Sequence, residues 1–147
     1  MKRPFLVALL GGALIGLLPG WLIGFVSDLY PTLEPEGLAN TGEFFQSEFD
    51  LAYAIVLFIL VFLAPVIEEY LFRGLLWYVV NKFVSKYWTL IITTVMFASL
   101  HMDLLHVLGV APVGFFFGWL KYKTDRMGPS VVAHITNNMV ACLFMIM

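Results

Sequence analysis

Two carboxylates, two imidazoles, a guanidinium and an amide lie inside stretches that are otherwise apolar. Glu68, Glu69 and Arg73 interrupt the run from Leu51 to about Val80, His101 closes the run that begins at Trp88, and His134 and Asn138 stand in the run from Gly128 to Met147. A charge at bilayer depth costs roughly 2.5 to 3.5 kcal/mol on insertion scales, so such residues face a bundle interior and suggest function. Glu69 and Arg73 are one helical turn apart and can pair, while Glu68 is turned away by about 100° and stays available. His134 and Asn138 also share a face, and Phe97 precedes His101 by one turn, where it could wall off the imidazole. Glu68 and His101 could together polarise a water for attack on a peptide carbonyl. His134 and Asn138 could then donate hydrogen bonds to the oxyanion. Glu68, His101 and His134 equally suit a zinc ion with one open position. The zinc signature His-Glu-x-x-His is missing, but a dispersed ligand set would not need it. The residue types leave both chemistries open.

Each residue also has a plainer reading. The Glu69–Arg73 pair could be a buried staple that fixes helix register. Either histidine, Asn137 or Asn138 could be interhelical glue. Asp103 and His106 read mainly as interfacial residues at a short outer turn, with His106 a spare ligand candidate. What separates the active-site reading from these is depth. Counting about 1.5 Å per residue from Lys82, Lys86 and Arg126 puts Glu68, His101 and Asn138 roughly 21, 22 and 18 Å into the membrane. His134 comes out at about 12 Å, one turn or so lower.

The elements that must position these groups follow from composition. Of 147 residues 61% are hydrophobic and only 12% charged, the net charge is −2, and Cys142 is the lone cysteine. That excludes a disulfide scaffold, a nucleic-acid binder and a disordered chain, and predicts an all-α, polytopic bundle of about five spanning helices. The runs are Phe5–Val26, Leu51 to about Val80, Trp88–His101, Leu104–Leu120 and Gly128–Met147. The first is too long for a signal-peptide core and reads as a retained helix. Every basic residue except Arg73 falls on one side of this topology, which predicts a cytoplasmic N-terminus. Trp77, Tyr78, Tyr87, Trp88, Trp119 and Tyr122 read as an interfacial belt beside the basic loops. Residues 27–50 carry acidic groups and no basic one, as an external loop would. Gly12, Gly16, Gly20 and Gly24 form a ladder that suits either packing within the bundle, the favoured reading, or a homodimer. Gly114 and Gly118 repeat the device. Pro19, Pro65 and Pro112 should kink or interrupt their helices.

Glu68-Glu69-Tyr70-Leu71-Phe72-Arg73, Phe97 to His101 and His134 to Asn138 resemble, in order, the Glu-Glu-x-x-x-Arg, Phe-x-x-x-His and His-x-x-x-Asn motifs of the CAAX protease and bacteriocin-processing family. The resemblance covers roughly residues 52–147, the protease-like core, and leaves 1–51 as a separate helix and loop. It implies an intramembrane endopeptidase acting on membrane-anchored, CAAX-type or leader-peptide substrates, in a family named as metalloproteases. It also implies that Glu68 is the catalytic glutamate, His101 its water-activating partner, and His134 with Asn138 the oxyanion pair, while Glu69 and Arg73 complete the first motif. Zinc, or no metal at all, fits that family equally. Members with more helices enclose their pocket more fully, so a second copy is one expected way to complete this one. The expected location is the plasma membrane. The alternatives are a non-catalytic membrane protein such as a bacteriocin immunity factor and, more weakly, an ion or proton transporter.

Overall fold

The computed structural model describes residues 3–30, 49–101 and 104–146, and every element among them is helical. Helices α1 (Arg3–Ile15) and α2 (Leu17–Leu29) follow one another with a break at Gly16. Pro19 accounts for it: its ring crowds the carbonyl four residues earlier, that of Ile15, and it offers that carbonyl no N–H. Helix α3 runs from Leu51 to Val80. Asp50 caps it, accepting the Tyr53 N–H at 2.7 Å. Helices α4 (Lys86–Ser99), α5 (Leu104–Thr124) and α6 (Gly128–Ile146) complete the chain. Asp103 and residues 31–48, with Glu34, Glu36, Glu43 and Glu48, lie outside the described residues.

Four helical stretches among the described residues are long and apolar enough to cross a bilayer: Arg3–Val26, α3, α5 and α6. The third apolar run forms the shorter α4, whose 14 residues reach about 21 Å. The outer surface is apolar, with Leu14, Phe58 and Phe144 exposed, as lipid contact requires. The protein is an integral membrane helical bundle.

Two stretches of α3, Ile59–Leu63 and Tyr70–Leu76, widen into π-helical turns on either side of Glu68 and Glu69. The first has a clear sequence cause. The Ala64 N–H bonds to Ile59 O, five residues back, and Pro65 has no N–H to give. The Leu60 carbonyl is thereby left out of the ladder. Pro65 thus widens a turn rather than ending the helix, and Pro112 sits inside an unbroken α5.

The core packs α1, α5 and α6 together through Ala8, Val113, Phe117, Leu120 and Ala133. Glycines let the backbones approach. A methyl on Gly12 would overlap the main chain of Ala133, and one on Gly16 would stand 3.1 Å from the Asn137 carbonyl. Half of the ladder is therefore used inside the bundle, whereas a methyl on Gly20 or Gly24 would meet nothing within 4 Å among the described residues. On α5, Gly114 and Gly118 make room for Phe97 and Leu90. The aromatic belt needs one correction. Tyr78, Tyr87 and Trp88 are exposed as expected, but Trp77 is buried, because the face that it shares with Arg73 turns inward.

Candidate active site

Five helices converge on a cavity of about 240 Å³, α2 through Pro19. Helix α3 contributes Glu68, the end of α4 contributes Phe97 and His101, α5 contributes Phe117, and α6 contributes His134, Asn137 and Asn138. The expected convergence of carboxylate, imidazole and amide is therefore present.

Behind the cavity wall lies a buried ion pair. Arg73 Nη1 lies 3.1 Å from Glu69 Oε1, and neither side chain is exposed. The guanidinium also donates through Nη2 to the Gly114 carbonyl at 2.6 Å and lies over the Phe97 ring, 4.5 Å from its centroid. An unpaired charge here would be very costly. A methyl on Gly114 would stand 2.6 Å from Phe97, so glycine keeps the ring and the cation in place.

His134 meets both carboxylates. Its Nδ1 is 3.0 Å from Glu69 Oε1, and its Nε2 is 3.7 Å from Glu68 Oε2. With Nδ1 turned to the Glu69–Arg73 pair, Nε2 is the ring nitrogen that faces Glu68 and the cavity. Phe117 stacks on the ring at 4.5 Å and Phe97 meets it edge-on at 5.7 Å. Glu68, with 37% of its side chain exposed, faces the cavity as the spacing predicts.

His101 lies at the open end of α4, exposed, with its ring edge-on to Phe97 at 5.7 Å. Phe97 therefore walls both imidazoles. Asn138 donates through Nδ2 to the Leu60 carbonyl at 2.9 Å, filling the vacancy that Pro65 leaves, and accepts from Asn137 Nδ2 at 3.0 Å. Asn137 is a cavity residue. His106, on α5, is not among the residues that line the cavity.

The metal option needs a ligand set, and this geometry does not offer one. Glu68, His101 and His134 share the cavity, but among the described residues no group of three His, Cys, Asp or Glu is arranged to hold a metal ion. Both nitrogens of His134 already face carboxylates.

Sequence reasoning missed the Glu69–His134 bond, the role of the Leu60 carbonyl and the stacking of Phe117 on His134. Pro65 was the available signal for Leu60, since a proline inside an apolar run leaves a carbonyl seeking a donor. Nothing in the spacing marks the other two.

Comparison with known proteins bears on this arrangement. Residues 50–140 match the family model described as "Type II CAAX prenyl endopeptidase Rce1-like". The chain belongs to that family. The match covers all the residues that line the cavity from α3 to α6. The chain is also similar to "Putative membrane peptidase YdiL" of Bacillus subtilis (strain 168), 29% identical over 104 residues, which are 69% of this chain and 43% of that protein. The chain thus spans less than half the length of this curated relative. No solved structure matches it.

Proposed function

We propose that this member of the Rce1-like family is an intramembrane endopeptidase that hydrolyses a peptide bond of a membrane-associated substrate, of CAAX or leader-peptide type, at the plasma membrane. The observation that carries the reading is Glu68 Oε2 facing His134 Nε2 at 3.7 Å inside a cavity that also holds His101. That separation is too long for a direct hydrogen bond, yet one water about 2.8 Å from each atom would be in reach of both. Glu68 takes a proton from this water, and the oxygen attacks the scissile carbonyl. His101, on the other wall of the cavity, helps to orient the water. The developing oxyanion is met from α6 by an N–H at His134 Nε2 and by the Asn138 amide, whose second hydrogen is not committed to Leu60. Glu68 returns the proton to the departing amine as the C–N bond breaks. None of these steps calls on a metal ion.

The test is cleavage in liposomes of internally quenched peptides carrying a lipid anchor. Glu68→Ala and His101→Ala should fold and lose cleavage, and Asp103→Ala should keep it. Equal activity in all three proteins would refute the assignment. Full activity after chelation is also expected, and recovery of lost activity by added zinc would refute the metal-free steps.

A further inference from the structure

Asn137 has a feature that the hydrolytic steps leave unused. It is 8% exposed, lines the cavity, and spends one amide hydrogen on Asn138 Oδ1. Its Oδ1 is buried and has no hydrogen-bond partner among the described residues. Buried acceptors are nearly always paired, because leaving one unpaired is costly, and a lipid-embedded bundle has little water to offer in compensation. Other unpaired buried atoms belong to Glu69, Arg73 and Thr94, none of which lines the cavity. Asn137 alone combines an unused acceptor with the place where a ligand would sit.

A narrow gap borders that acceptor. A methyl on Gly16 would stand 3.2 Å from Asn137 Oδ1, so the glycine at the break between α1 and α2 leaves space beside the oxygen. The bond from Nδ2 to Asn138 fixes which way the amide is turned, so Oδ1 cannot exchange places with the nitrogen without losing it. The oxygen is held ready and empty-handed. The group that fits an isolated neutral acceptor beside a peptide-cleaving centre is a main-chain N–H.

We propose that Asn137 is a substrate-binding residue whose Oδ1 accepts one backbone N–H of the peptide lying in the cavity, next to the scissile bond. The proposal rests on the endopeptidase reading above and adds to it a residue at a variable position of the third motif. It explains why two adjacent amides stand on α6: Asn138 serves the reacting carbonyl and Asn137 the main chain beside it.

The test uses the same lipid-anchored quenched peptides and the full chain in liposomes. Each amide flanking the scissile bond is replaced in turn by an ester, which removes one N–H, and the cleavage position is read by mass spectrometry. In the wild-type protein one ester position should lower kcat/KM about tenfold, the loss expected for one ordinary hydrogen bond. Asn137→Leu should show a similar loss on the parent peptide, carried by KM, and no further loss at that ester. An ester scan with no sensitive position in the wild-type protein would overturn the proposal whether or not the variant folds. So would the same ester penalty in Asn137→Leu as in wild type. If Glu68→Gln cleaved the parent peptide as fast as wild type, the endopeptidase reading would fail and take this one with it. Clear dependence on Glu68 without an Asn137-linked ester effect would remove this proposal alone.

Discussion

Glu69 and His134 are 65 positions apart in the chain and 3.0 Å apart in space. One oxygen of Glu69 serves both His134 and Arg73, so the second glutamate of the pair joins the cation on its own helix to the imidazole on α6. Its neighbour Glu68 is left facing the cavity. Adjacent carboxylates thus differ in setting: one is fully buried in an ion pair, the other half-open and turned to the cavity.

That division predicts opposite effects of the same substitution. Glu69→Gln leaves the Arg73 charge without its counter-ion and should destabilise the protein by about 3 to 5 kcal/mol, with cleavage falling as His134 loses its anchor. Glu68→Gln should abolish cleavage and leave unfolding nearly unchanged. Thermal unfolding in detergent beside the liposome assay checks both, and comparable stability of the two variants would show that Glu69 is not the anchor.

The glycine ladder gives a second contrast. Gly12→Ala must push α1 away from Ala133 and should cost about 1 to 3 kcal/mol, in the range of other overpacked sites. Gly20→Ala meets open space and should be neutral or slightly stabilising, since alanine is the better helix former. Unfolding midpoints of the two variants decide the matter. Equal losses would mean that Gly20 has a neighbour of its own, as a paired first helix from a second copy would supply.

A third prediction concerns the loop between α5 and α6. Asp125 adopts a left-handed backbone with φ of 56° and pairs with Lys86 at 2.6 Å. The hydrogen bond from Lys86 holds its carboxyl below the ordinary aspartate range. A depressed folded-state value contributes stability above the unfolded pKa of about 3.9 and loses it as pH falls through the folded one. Asp125→Asn keeps a residue tolerant of that backbone and removes the charge. The wild-type advantage over this variant should therefore be present near neutral pH, begin to fall near about pH 4 and be gone once the pH is below the depressed folded value, as read by unfolding midpoints at several pH values. A difference that persists there would assign it to the amide rather than to the ion pair. The carboxylate is largely exposed, so the effect is small.

Much of this architecture is legible in the sequence, for physical reasons that differ by residue. Glu69 and Arg73 are read together because four residues make one helical turn. Glu68, His101 and Asn138 are placed at one depth because helical rise is constant and the flanking lysines and arginine mark a surface. The partner of His134 is not legible, since choosing between adjacent carboxylates requires the rotation of α3, and that rotation is altered by wide turns which hydrophobic periodicity does not reveal. Trp77 is misplaced for the same reason. The amide of Asn138 is read as an oxyanion donor, and the structure adds a second task on Leu60 that only the missing N–H of Pro65 creates.

The wide turn at Ile59–Leu63 makes the length of α3 a functional quantity. Removing one residue there would close the turn to ordinary winding, with the Ala64 N–H then four residues from the Ile59 carbonyl, and would leave the faces downstream where they are. Leu60 would then stand four residues before Pro65, which has no N–H, so Asn138 would keep its task. The same deletion in the ordinary winding of residues 64–67 would swing Glu68 and Arg73 by about 100°, off the cavity and out of the interior, and should be as damaging as loss of the glutamate itself.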